Sequence, residues 1–173
     1  MERVLIIGSP GAGKSTLSRE VARRTGLPLH HLDRLYWKPG WVETDEQAWR
    51  DAVAGLVAGP RWIIDGNYGG TLKLRLARAD TVIDLDLPAW LCVAGILWRL
   101  IGSQAAARPD MAEGCRERPN REFVEFLAYT ATFPTRVRPR IDEKMRGFEG
   151  RYVRLNSRKQ VARYIAELSP PRS

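Results

Sequence analysis

Residues Gly8-Ser9-Pro10-Gly11-Ala12-Gly13-Lys14-Ser15 satisfy the pattern G-x-x-x-x-G-K-[ST] at every position. Each part of that pattern answers a chemical demand. Glycines let the backbone curl so that successive N–H groups point inward at phosphate oxygens, and a helix opening near Lys14 adds the positive end of its dipole. The Lys14 ammonium suits the β- and γ-phosphates of a nucleoside triphosphate, and the Ser15 hydroxyl suits Mg²⁺. Gly8, Pro10, Gly11, Ala12, Gly13, Lys14, Ser15 and Thr16 are therefore the expected contacts of ATP.

Carboxylates and arginines elsewhere could complete such a site. Asp65 closes the run Trp62-Ile63-Ile64 and precedes Gly66-Asn67-Tyr68. An acid at the tip of a buried strand could hold a water of the Mg²⁺ shell or orient an acceptor; an aspartate before a glycine is also a common turn. Asp33 follows His30-His31-Leu32 at the end of a weaker strand pattern. It could take a proton from a substrate hydroxyl, support the metal, or cap a following helix. The histidines are expected to alternate between core and surface, without a chemical role. Asp84 and Asp86, two apart in Thr81–Leu87, face one side of that strand, as acids or as markers of its end. Arg99, Arg108, Arg116 and Arg118 are candidates to close over a triphosphate. Charge spreading over a migrating phosphoryl group is best stabilised by guanidinium groups once water is excluded; a solvated surface charge is the alternative at each. Tyr36, Trp37 and Trp41 surround a Pro-Gly turn, either to stack on a planar acceptor or to anchor the loop in the core.

The elements that must position these groups are strands alternating with helices. Val4–Ile7, Trp62–Ile64 and Thr81–Leu87 are continuous apolar runs, with Leu27–Leu32 and Tyr152–Leu155 as weaker ones. Such runs suit strands covered on both faces, as in a parallel sheet. Helical patterns run from Lys14 to Thr25, Asp45 to Ala58, Trp90 to Ile101 and Arg121 to Phe133, and a last one opens at Ser157. Thr44 with Gln47, and Ser157 with Gln160, have the spacing of capping boxes. Residues 102–120 are polar and read as a lid loop. The expected fold is an open α/β sheet with ligands at the carboxyl ends of its strands.

Composition narrows the setting. The 173 residues, 44% hydrophobic and 28% charged, suit one domain over residues 1–173. The formal net charge of +8 allows nucleic acid, anionic lipid or a phosphate-bearing substrate as partner. No helix-turn-helix, zinc or aromatic RNA-binding signature accompanies that charge, so a small-molecule phosphate acceptor is the expected partner. Cys92 and Cys115 form no CxxC pair, and with His30 and His31 they suggest no zinc site. The longest apolar run, Ala89 to Trp98, is half of the roughly 20 residues that span a bilayer. A soluble, cytoplasmic protein without membrane partners is expected; the sequence does not determine its oligomeric state.

Taken together, these residues resemble those of the nucleoside monophosphate kinase and shikimate kinase group of P-loop proteins. Nearer still, Gly8 to Thr16, His31-Leu32-Asp33, Tyr36-Trp37-Lys38-Pro39-Gly40-Trp41, Asp65-Gly66-Asn67-Tyr68, Leu85-Asp86-Leu87-Pro88 and Arg108 to Cys115 look like the bacterial DNA topology modulation family, which is adenylate kinase-like. That resemblance covers nearly the whole chain. It implies a five-stranded parallel sheet in order 2-3-1-4-5 with helices on both faces and a lid after the fourth strand. It also implies that Asp65 organises Mg²⁺ and that Arg99 contacts phosphate. One departure stands out: adenylate kinases follow Asp-Gly with Phe-Pro-Arg, whose arginine holds the nucleotide acceptor, whereas Asn67-Tyr68-Gly69 stands here. Arg75 or Arg78 could substitute from the next segment. The expected activity is ATP-dependent phosphate transfer through Lys14, Ser15, Asp33, Asp65, Arg99, Arg108 and Arg116; the alternative is a nucleotide-switched regulator associated with nucleic acid.

Overall fold

The computed structural model describes residues 1–102, 115 and 119–168. Its centre is β1 (Arg3–Gly8), in which Val4, Leu5, Ile6 and Ile7 have no exposed surface. Parallel partners flank it: β5 (Trp62–Asp65) on one side and β6 (Thr81–Leu85) on the other, both buried throughout. β2 (Leu29–His31) and β7 (Arg151–Leu155) form the edges, giving the order β2-β5-β1-β6-β7. Counted along this sheet alone, that is the expected order 2-3-1-4-5.

Successive residues of a strand point to opposite faces, so the continuous apolar runs supply two cores. Val4, Ile6, Ile63, Ile83 and Leu85 meet α1 (Lys14–Thr25) through Leu17 and Val21, and α8 (Arg158–Glu167) through Tyr164. Leu5, Ile7, Ile64 and Val82 face the other way. They pack with α3 (Glu46–Ala58) through Trp49 and Val53, with α4 (Gly69–Leu76) through Leu72, and with α6 (Arg121–Arg136) through Phe133. α5 (Ala89–Gly102) adds Cys92 to the first core, and α7 (Arg138–Met145) adds Ile141 to the second.

Several boundaries differ from the sequence reading. β6 stops at Leu85, before Asp86. α6 runs past Phe133 through Pro134, and the Val137 amide closes the turn on the Phe133 carbonyl (3.0 Å). The cap of α3 is Asp45, which accepts from the Gln47 and Ala48 amides (3.0 and 3.1 Å). Thr44 instead donates its hydroxyl to the Tyr36 carbonyl (2.6 Å), closing a small hairpin of β3 (Trp37–Lys38) and β4 (Val42–Glu43). The Ser157 cap forms as expected, accepting from the Gln160 amide (3.2 Å). A short helix, α2 (Leu32–Tyr36), carries Asp33 in its first turn, so Asp33 lies beyond the strand rather than at its end. Among the described residues, no helix is long and apolar enough to cross a membrane.

Candidate active site

The phosphate loop joins β1 to α1, and its shape is fixed by packing. Gly8 (φ +135°) lies so close to β6 that a Cβ there would stand 2.2 Å from the Leu85 carbonyl oxygen. Gly11 (φ +74°) meets α5 in the same way, 2.2 Å from the Cys92 oxygen. Lys14 opens α1 and turns its Nζ back to donate to the carbonyls of Gly8 (3.0 Å) and Ser9 (2.9 Å). Burial pulls the Lys14 ammonium below its usual range, while the negative fields of Asp65 and then Asp33 act against that. Arg99, in the last turn of α5, pushes the same way as burial. Lys14, both carboxylates and Arg99 thus share one electrostatic neighbourhood.

Asp65 ends β5 beside the loop, 5% exposed. Parallel pairing sets His31 of β2 level with it, so both side chains lie on one face. The His31 Nδ1 donates to Asp65 Oδ2 at 2.9 Å, and Ser18 of α1 donates to the same oxygen at 3.4 Å. The sequence reading gave His31 no role; here it aims a carboxylate. Asp33 accepts from the Tyr68 hydroxyl at 2.7 Å. Burial, then the Asp33 charge, raises the Tyr68 phenol well above its ordinary range, so it stays a donor.

The segment Gly66-Asn67-Tyr68 links these parts. Asn67 grips the first glycine of the phosphate loop by both backbone groups, accepting from the Gly8 amide (3.0 Å) and donating to the Gly8 carbonyl (2.8 Å). Arg75 was a candidate for the acceptor-binding arginine. It has no exposed surface and donates inward to carbonyls of this turn, while Arg78 donates to the Val57 carbonyl (3.3 Å). Neither side chain is directed at an acceptor. Asp84 and Asp86 do face one side, but both hold Arg138 at the start of α7 (3.0 and 2.9 Å), with Tyr152 also on Asp84 (2.6 Å). They tie α7 to the sheet. The aromatic segment divides: Tyr36 packs against Trp49 and Tyr68, with ring centres 5.1 and 4.8 Å away, whereas Trp37 and Trp41 line the cleft.

That cleft, about 1420 Å³, opens at the carboxyl ends of the strands. Lys14, Ser15, Thr16, Asp33, Asp65 and Arg99 all line it, as do Pro10, Gly11 and Gly13. Gly8 and Ala12 lie behind the lining. Arg140 and Lys144 of α7 line it too, with Phe126 and Tyr129 of α6; nothing in the sequence connected these with Lys14, more than a hundred residues away. Arg108, Arg116, Arg118 and most of the expected lid lie outside the described residues.

Among the described residues, no group of three or more His, Cys, Asp or Glu could hold a metal ion unaided. Mg²⁺ that arrives with a nucleotide needs only one or two protein oxygens, since phosphates and water supply the rest. The Ser15 hydroxyl and the Asp65 carboxylate, both on the cleft, are hard oxygen donors of that kind.

A central strand leading into a phosphate loop, within a parallel sheet of this order, defines the P-loop kinase fold. Solved structures agree. The chain is similar to a shikimate kinase from Acinetobacter baumannii in complex with shikimate (TM-score 0.60, 15% identity, over 96% of this chain and 90% of that one). It is similar also to a gluconokinase from Sinorhizobium meliloti 1021 (TM-score 0.53, 16% identity, 96% and 89%). A shikimate kinase from Bacteroides thetaiotaomicron matches at TM-score 0.50 and 18% identity (96% and 95%). No protein-family model and no curated protein matches the chain. These likenesses establish the fold.

Proposed function

We propose that this chain is an ATP-dependent phosphotransferase that moves the γ-phosphate to a small acceptor bearing a hydroxyl group. The carrying observation is that the phosphate loop with Lys14 and Ser15, and the carboxylates Asp33 and Asp65, open on one cleft. ATP is favoured over GTP because no Asn-Lys-x-Asp motif occurs. Loop amides and Lys14 bind the polyphosphate; Ser15 and Asp65 would hold Mg²⁺, which would neutralise charge on the phosphates. The acceptor oxygen attacks the γ-phosphorus, the bond to the bridging oxygen breaks, and ADP departs. Asp33 orients the hydroxyl and receives its proton. Arg99 stabilises the spreading charge, with Arg108 and Arg116 of the proposed lid at 102–120 as further donors. Trp37, Trp41 and Tyr129 line the same cleft as Arg140 and Lys144, a mixture of flat rings and cations that suits a flat, negatively charged acceptor.

The motif segments around Trp37 and Asn67 ground a narrower reading, a DNA topology modulation protein of adenylate kinase-like type acting in the cytoplasm. The net charge of +8 favours one rival, a nucleotide-switched regulator on nucleic acid. Direct DNA binding requires an affinity that falls steeply with salt; absence of binding at low salt ends that rival. The test of the enzyme is ADP release with Mg·ATP and a panel of nucleotides, nucleosides, sugars and hydroxy acids. One acceptor class should stimulate release, Lys14→Ala should lower it about a thousandfold, and Asp65→Asn should reduce turnover far more than ATP affinity. Lack of stimulation by every class would remove the proposal, and full turnover in Asp65→Asn would remove that carboxylate from the mechanism.

A further inference from the structure

The turn after β5 is held from behind by a cation that the proposed chemistry does not use. Arg75, in α4, has no exposed surface. Its guanidinium donates to the carbonyls of Gly66 (2.9 Å), Tyr68 (2.9 Å) and, between them, Asn67. Among the described residues no carboxylate pairs with it, and its Nε is buried without a hydrogen-bond partner. Burial pulls the guanidinium down to about 9.

Burying an unpaired cation is costly, and a leucine could fill similar space without that cost. Packing alone therefore does not account for arginine. What arginine supplies is a rigid planar fork that captures successive carbonyls at once. The captured turn needs such a hold. Gly66 sits at φ +136° with Leu32 Cβ only 2.9 Å from where its own Cβ would stand, and Tyr68 adopts φ +31°. Two contacts leave this turn toward the site. Asn67 clamps Gly8, whose carbonyl also receives Lys14 Nζ, and Tyr68 donates to Asp33.

We propose that Arg75 is a positioning residue: by fixing the Gly66–Tyr68 carbonyls it keeps Asn67 on the phosphate loop and Tyr68 on Asp33, and so holds the donor and acceptor sides of the cleft in register. Its effect on rate rests on the phosphotransferase reading; its hold on Gly8 does not. The two are separated by measuring amide hydrogen exchange and kinetics on the full chain. Arg75→Lys retains a charge but loses the fork. Exchange at the Gly8 amide should then rise roughly tenfold while that of Ile6 in the same strand stays put. Asn67→Ala, with Arg75 intact, should reproduce the Gly8 effect, and the double variant should go no further. Turnover per folded molecule in Arg75→Lys should fall roughly tenfold or more, with ATP affinity changed less than about threefold. Unchanged Gly8 exchange, or equal acceleration along all of β1, overturns the proposal. A wild-type chain that no acceptor stimulates would defeat the phosphotransferase reading, and Gly8 exchange would still decide the role of Arg75.

Discussion

The two walls of the cleft are shaped by opposite means. On the side proposed for the phosphate donor, Gly8 and Gly11 press backbone against backbone, with the Leu85 and Cys92 carbonyls where side chains would otherwise be. On the side proposed for the acceptor, the turn from Gly66 to Tyr68 is shaped by side chains: Asn67 on Gly8, Tyr68 on Asp33, Arg75 beneath. A wall made of main chain tolerates few substitutions but needs few partners. One made of side chains can be altered piece by piece, which suits the part of a site where specificity resides.

The sharpest way to break the contrast is to add a single methyl group to the donor wall. Gly11→Ala would drive Cβ to 2.2 Å from the Cys92 oxygen, and α5 has little room to retreat because Gly95 already packs on the Gly11 carbonyl (2.8 Å from an ideal Cβ). Together with the positive φ, this should cost about 3 kcal/mol or more and abolish ATP binding. Urea unfolding and calorimetry check both; an unchanged midpoint would mean that the loop is not held by this contact.

The equivalent change on the other wall should be milder. Tyr68→Phe removes the hydroxyl that donates to Asp33 at 2.7 Å and leaves the ring among Tyr36 and Trp49. A hydrogen bond to a charged group supports a loss of about 1.5 kcal/mol by urea unfolding. ATP affinity should not change, since no phosphate contact is proposed for Tyr68. Weakened ATP binding would show that the Tyr68 hydroxyl, and not Asn67 alone, supports the phosphate loop.

This division also explains what the sequence disclosed. Glycine spacing is a backbone specification, so the phosphate loop, α1 from Lys14 to Thr25 and the buried strands were legible as continuous runs. Asp33 and Asp65 were recognisable because each follows a strand-like run. Their partners were not: His31 meets Asp65 only through the pairing of β2 with β5, and Tyr68 meets Asp33 across 35 residues of chain. α4 opens with Gly69-Gly70, poor helix formers, and α7 has little apolar patterning, so Arg140 and Lys144 gave no local signal. Arg75 and Arg78 looked alike in sequence as acceptor ligands. Only tertiary packing buries the first and points the second at Val57.

The smallest expected change in stability concerns Trp41, where anchoring and stacking make opposite demands. Its ring meets Trp37 edge-on at 5.4 Å, yet its backbone sits at φ +64°, a conformation that costs a bulky residue about 1 kcal/mol. Asparagine tolerates that conformation better, so Trp41→Asn recovers part of the strain while losing a ring contact also worth about 1 kcal/mol. The relief offsets only part of that contact and of the apolar area that the indole covers, so the free energy of unfolding should fall by about 1 kcal/mol. Tyr36, packed between Trp49 and Tyr68, already anchors this segment, so the hairpin has no need of Trp41 for that purpose. Trp41 is instead 36% exposed and lines the cleft. Its loss should therefore raise the acceptor KM about tenfold, with ATP affinity unaltered. A fall in stability well beyond that, with an unchanged acceptor KM, would assign Trp41 to the scaffold and leave Trp37 as the aromatic wall.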